Sequence, residues 1–249
     1  MEAPPTPKSC LIIGASGGIG KSLVEHLHSL HPTWPLVLAG RNYDSLKETF
    51  PCQPQCYSVD ATDADAVSIL FKTLTETHGA IGSVVHLVGS ILLKPAHTTK
   101  PEEWDATILQ NLTSAFNVVR GACKSMMPTG GGSIVLMSSA AARIGLPNHD
   151  AIAAAKAGVI GLTLSAAATY AKKGIRINCV APGLVDTPLA AKLLSNPASR
   201  SASEAMHPLG QIIAPEQVAQ TIGWLLSTSN VTGQIIGVDG GLASLKVSQ

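Results

Sequence analysis

Directly after an apolar run at residues 10–13 comes Gly14-Ala15-Ser16-Gly17-Gly18-Ile19-Gly20, and a helical pattern begins at once with Lys21. Glycines at such a point let the backbone turn tightly and approach a pyrophosphate. The free N–H groups and positive end of the following helix favour its charge. Strand, glycine turn and helix in that order read as a phosphate cradle more sharply than as a turn that merely needs flexible residues. A second telling residue is Lys156, the sole charge between Asp150 and Lys172. An ammonium on an otherwise uncharged helix is costly unless it is paired or liganded, so Lys156 is expected to hold a ligand. Ser139 closes Met137-Ser138-Ser139 at the end of another apolar run, a position from which a hydroxyl can reach a cleft.

The elements that must position these residues alternate along the chain. Apolar runs at 10–13, 35–39, 55–59, 83–88, 133–138, 176–180 and 233–238 predict strands. Helical patterns at 18–30, 43–49, 64–78, 101–127, 149–173 and 215–227 lie between them. This is the pattern of repeated βα units and a parallel sheet with helices on both faces. The expectation is one α/β domain, residues 1–249, doubly wound around seven parallel strands. Pro188, Asn196, Pro197, Pro208 and several serines interrupt the stretch at 186–215, which is expected to be a substrate loop.

Composition narrows the function. Seventeen Lys and Arg balance sixteen Asp and Glu, a net charge of +1, which leaves no broad field for a polyanion and argues against nucleic acid. Charged residues are only 13%, against roughly 25% in an average soluble domain, and mean hydropathy is +0.27. No stretch reaches the ~18–20 uninterrupted apolar residues of a membrane span. The uncharged run at 157–171 therefore reads as a buried helix, and the low charge as a sign of a homo-oligomer. Five cysteines fit a reducing, cytoplasmic compartment; an organelle reached after loss of a transit peptide stays open. Cys52 and Cys56 have no second Cys/His pair nearby to complete a metal site, so no metal is expected.

The glycine spacing, G-x-x-x-G-x-G, resembles that of the short-chain dehydrogenase/reductase family, in particular its ketoacyl reductases, and the resemblance runs over essentially the whole chain. It implies a Rossmann fold with the dinucleotide held by Gly14, Ser16, Gly18, Ile19 and Gly20. Asp60, after the third strand, matches the carboxylate that accepts from the adenine amino group. In His86-Leu87-Val88-Gly89, only Gly89 survives of the family's Asn-Asn-Ala-Gly. Asn111 matches the helix asparagine whose carbonyl holds a water near the lysine. Pro182-Gly183-Leu184-Val185-Asp186-Thr187 matches the loop where the Val185 backbone and the Thr187 hydroxyl meet the nicotinamide carboxamide. At Leu38-Ala39-Gly40-Arg41 no carboxylate stands where an NAD-preferring member places one, and Arg41 can pair with a 2′-phosphate. NADP(H) is therefore favoured over NAD(H), and a tetramer or dimer is implied.

The family's carbonyl chemistry uses Ser, Tyr-x-x-x-Lys and the helix Asn, which map here onto Ser139, Lys156 and Asn111. The tyrosine position, four before Lys156, is Ile152, which has no proton to give. His149 shares a helical face with 152 and 156 by its i, i+3, i+7 spacing and is the best substitute acid, set against a solvent-facing role at a helix start. Three readings follow: an NADP(H)-dependent oxidoreductase acting on a small carbonyl or secondary alcohol with an atypical site, a cofactor-binding pseudoenzyme or partner subunit, and a non-redox lyase or isomerase.

Overall fold

The structure is a computed structural model and describes residues 8–53 and 55–246. Seven strands, β1 (Ser9–Ile13), β2 (Leu36–Gly40), β3 (Cys56–Ser58), β4 (Ile81–His86), β5 (Gly132–Met137), β6 (Ile175–Pro182) and β7 (Ile235–Val238), form one sheet. Its order is β3-β2-β1-β4-β5-β6-β7 and every pairing is parallel. The helices are α1 (Gly18–Leu30), α2 (Tyr43–Thr49), α3 (Ala64–His78), α4 (Pro101–Ile108), α5 (Ser114–Met126), α6 (Asp150–Tyr170), α7 (Ala191–Leu194), α8 (Pro197–Met206) and α9 (Pro215–Ser227).

The strands are apolar throughout because both sheet faces are covered. Successive side chains point to opposite faces. Leu11, Ile13, Val84, Ile134 and Leu136 pack with α3, α5 and α6, while Cys10, Ile12, Val85, Val135 and Met137 pack with α1, α2 and α9. The chain reverses its winding between β1 and β4, which opens a crevice at the carboxyl ends of these neighbours, the place where doubly wound sheets bind ligands.

Three expectations need correction. The stretch at 186–215 is not a loop. Pro188, Pro197 and Pro215 stand in the first turns of a 3-10 turn, α8 and α9, where the missing proline N–H costs nothing. Asn196 caps α8 through its side-chain oxygen. The single helix expected at 101–127 contains a π-helical turn, Leu109–Thr113, between α4 and α5. The run at 157–171 is only half buried: its sheet face carries Val159, Thr163, Ala166 and Ala167, but Ala157, Gly161, Leu164 and Ala168 are exposed. By length and composition α6 could cross a membrane, yet its inner face, Lys156 included, packs on β5 and β6.

Candidate functional site

The glycine turn lies in the crevice. Gly14 adopts φ 89°, and a Cβ there would stand 3.2 Å from the Val88 amide nitrogen, so this glycine lets the chain turn against the end of β4. Gly20 packs on the Ala15 carbonyl with no room for a side chain. The amino end of α1 is open: Gly17 makes no side-chain cap and the first turn holds no acid. The Gly17 amide donates to the Gly14 carbonyl at 3.2 Å, and the amides of Gly18, Ile19 and Gly20 are left for a phosphate. Across the crevice, a Cβ on Gly18 would be 2.7 Å from the Thr187 Cγ2. Ser16 and Ile19 are half-buried on the same turn.

At the other side of the crevice stands Lys156, 7% exposed. Its Nζ donates to the Met137 carbonyl at 3.0 Å, and the Ser138 hydroxyl donates to its backbone carbonyl at 2.8 Å. Burial lowers its pKa from 10.5 to about 8. The nearby Cys179 thiol is itself pushed up to about 12 by burial and so stays uncharged, leaving no counter-ion there. Gly89 opens the space beside the ammonium: a Cβ there would lie 3.4 Å from Nζ and 3.0 Å from the Asn111 Oδ1.

Asn111, fully buried in the π-helical turn, is committed at both ends. Its Nδ2 donates to the Ser90 Oγ and the Thr107 carbonyl, and its Oδ1 accepts from the Ser90 amide. The side chain thereby fixes residues 89 and 90 against the helix. His86 lies beneath. Ser114 spends its proton on the Gln110 carbonyl at 2.7 Å, so the His86 Nε2 donates to Ser114 at 3.0 Å. The His86 Nδ1 is then a bare acceptor, and it finds no partner among the described residues. Burial first, and Lys156 second, hold this ring down at about 3, neutral throughout the working range.

A cavity of about 200 Å³ adjoins the crevice, lined by Ser139, His149 and Ile152 on one side and by Leu184, Met206 and His207 on the other. Ser139 caps a short 3-10 turn and accepts from the Ala141 amide at 3.2 Å, which leaves its own proton to donate. Asn148 takes φ 63°, a conformation asparagine tolerates, and turns the chain into α6. His149 is the cap residue before that helix, not part of its first turn. It is half-buried on the cavity wall with its Nδ1 against the Pro147 carbonyl at 2.8 Å, so Nδ1 carries the proton and Nε2 is free. Ile152 is buried one turn before Lys156.

The remaining positions lie along the crevice. Arg41 and Asp60 are exposed at its far end. Asp60 Oδ1 accepts from both the Thr62 amide and hydroxyl, which, with the nearby Arg41 charge, lowers its pKa. Gly183 follows Pro182, the last residue of β6, and Val185 pairs with Ile213 as an isolated bridge. Sequence reasoning missed Ser90, the partner of Asn111, and His207. Neither lies in a motif, and their partners include backbone groups that leave no mark in residue types.

These features fit a dinucleotide: an uncapped helix end, two glycines whose missing side chains open space beside Thr187 and Lys156, and a buried cation. The model of the family described as enoyl-(acyl carrier protein) reductase matches residues 14–243. A 3-oxoacyl-(acyl-carrier-protein) reductase of Thermotoga maritima is 38% identical over 244 residues, covering 94% of this chain and 97% of the relative. A 3beta-hydroxysteroid dehydrogenase 1 of Eggerthella lenta is 36% identical over 189 residues, 74% of this chain and 71% of the relative. ElxO with NADP bound superposes with a TM-score of 0.88 at 27% identity, covering 96% of this chain and 100% of that one.

Lys156 yields a test that needs no ligand. It loses its proton near pH 8 when folded and near 10.5 when unfolded. Between those values the unfolded chain binds more protons, so stability rises with pH. Lys156→Met should therefore be more stable than the parent at pH 7 by about 1–3 kcal/mol, the gap closing as pH climbs through that window. Denaturant unfolding at stepped pH measures it, and a pH-independent gap would show that burial is not the cause.

Proposed function

The chain belongs to the short-chain dehydrogenase/reductase family, and from that premise we propose that it is an NADP(H)-dependent oxidoreductase of a small, uncharged carbonyl or secondary alcohol. The observation that carries the reading is Lys156, a buried ammonium without a counter-ion among the described residues, beside the space that Gly89 leaves open. The likeness to relatives that are reductases and to a structure with NADP bound supports it. The whole chain acts as one catalytic domain, with 186–215 as its substrate-facing segment.

Gly14, Ser16, Gly18, Ile19 and Gly20 would hold the pyrophosphate at the end of α1. Asp60, with Oδ2 still free, would take the adenine, and Arg41 the 2′-phosphate. Gly89 would give the adenosine ribose its close approach, and Lys156 the nicotinamide ribose its donor. Pro182, Gly183, Val185 and Thr187 would face the nicotinamide. When bound, NADPH supplies a hydride. Ser139 donates a hydrogen bond to the carbonyl oxygen and keeps its proton. Lys156 steadies the charge that develops there. Asn111, with its amide spent on Ser90 and Thr107, acts by positioning residues 89 and 90.

In this family the proton comes from a tyrosine, and we read Ile152 as standing in its place. We read His149 as taking the role in its doubly protonated form, with Nδ1–H held on the Pro147 carbonyl and the proton on Nε2 the one given up and then restored from solvent; the residue lines the cavity. No Lys, Arg, Asp or Glu is among the described residues lining the cavity, and Ile91, Leu93, Leu146, Leu193 and Leu242 complete an aliphatic wall. A compact neutral ketone is therefore the preferred substrate over a carboxylate or phosphate ester.

Cofactor choice is tested at the end of β2. A Cβ at Gly40 would make only ordinary contact with Leu46, at 3.6–3.9 Å. Gly40→Asp should fold normally, repel the 2′-phosphate and turn a preference for NADPH into one for NADH, whereas Arg41→Ala should weaken NADPH about tenfold and leave NADH unchanged. Calorimetric titration with both cofactors decides it. Equal affinities in the parent chain would refute the assignment.

Chemistry is tested at 152. Ile152→Tyr puts a phenol one turn from Lys156, whose charge favours the phenolate. Reduction of a panel of neutral ketones should speed up on the order of 10²-fold, the value of a positioned acid. His149→Ala should abolish the activity of the parent. A tyrosine variant that binds NADPH and reduces nothing would instead identify a pseudoenzyme.

We further propose a homo-oligomer, tetramer or dimer, in which Trp104, Leu109, Phe116 and Leu164 are covered. These four exposed side chains lie along α4, the π-helical turn, α5 and α6 beside the small residues Ala157, Gly161 and Ala168. An apolar face of this kind needs a partner. The five thiols fit a cytoplasmic setting. Sedimentation at micromolar concentration should show no monomer, and Phe116→Glu should release it.

A further inference from the structure

His207 ends α8 and is 2% exposed on the cavity wall, yet it belongs to no motif that binds the dinucleotide. Its two ring nitrogens join two separate parts of the chain. Nδ1 lies 2.7 Å from the Ser203 carbonyl, and Nε2 lies 3.2 Å from the Leu184 amide nitrogen. A carbonyl can only accept and an amide N–H can only donate, so the tautomer is fixed by chemistry: Nδ1 carries the proton and Nε2 is bare. Gly183 makes this possible. A Cβ there would collide with the His207 Nε2, so only a glycine lets the ring sit against the backbone after β6. A second link lies at the other half of α8, where Arg200 pairs with Asp186 at 2.9 Å. The ion pair is exposed and contributes little alone, but with His207 it attaches α8 at two points to the turn at 183–187.

We propose that His207 is a positioning residue: its neutral ring latches α8, one wall of the cavity, to the Leu184 amide, so that this wall and the turn bearing Val185 and Thr187 move as one body. The inference rests on the reading of that turn as the one facing the nicotinamide. Because Thr187 also stands against Gly18, contact along the crevice is passed to the cavity wall through Leu184 and His207.

Hydrogen exchange of the NADPH-free protein tests the latch. In the parent chain the segments containing Leu184 and 197–207 should be protected. His207→Leu should lose about tenfold in both, the equivalent of one lost hydrogen bond, while β1, β4 and β5 exchange as in the parent, and should bind NADPH several-fold more weakly. His207→Gln, which offers an amide donor and a carbonyl acceptor, should keep the protection. Two results overturn the proposal: a leucine variant with intact β1 and unchanged protection at Leu184, or a glutamine variant with intact β1 that loses it. The second stands even where the leucine variant fails to fold. Should no variant bind NADPH, the cofactor reading falls while exchange still decides the latch.

Discussion

The site is organised by the burial of one ammonium. Taking Lys156 out of water costs several kcal/mol, and the folded chain returns one carbonyl, that of Met137, at 3.0 Å. The described residues supply no anion beside it. The closest thiol stays protonated, and the neighbouring histidine is held neutral by the same burial that strains the lysine. Such an arrangement is under-liganded as a piece of protein core. A ligand hydroxyl entering the space beside Gly89 would supply the missing partner, and that would couple the stability of the fold to occupation of the crevice.

Everything that frames the crevice follows from that need for close approach. Gly14 lets the chain turn tightly against the end of β4, and Gly18 admits Thr187 from the far side. The π-helical turn sets Asn111 where its amide can hold residues 89 and 90, and His86 supports the turn from below through Ser114. Each contact comes from a different stretch of sequence. They converge because β1 and β4 are neighbours in the sheet while the chain winds away from them in opposite directions.

Much of this was legible in the residues. The strands announced themselves because both faces are buried, so their runs are uninterrupted. Gly14 to Gly20 and Lys156 could be picked out because glycine and an isolated charge are unusual where they stand. What escaped was set by backbone partners and by position within a turn. Pro188, Pro197 and Pro215 were visible, but a proline breaks a helix interior and opens a helix start, and only the fold shows which applies. The π-helical turn leaves no compositional trace. His207 was invisible because the amide it serves, at Leu184, belongs to no residue type. The half-exposed face of α6 was read as buried because hydropathy records the need for cover, not whether the same chain provides it.

The aliphatic residue at 152 is the point where fold and chemistry separate. The loss of a positioned acid raises a barrier by roughly 3–5 kcal/mol. That is large, but it is one contribution among several. Orientation of the two reactants and the Ser139 hydrogen bond remain, and such terms can together exceed it. Ile152 belongs to the apolar lining of the cavity, across from Leu184 and Met206. On the function proposed above, a neutral ketone would rest on this apolar lining, with Ser139 fixing its oxygen and His149 beside it. On that proposal the chain keeps what binds and orients while the proton donor differs, so the cofactor and proton-transfer functions of this site are judged separately.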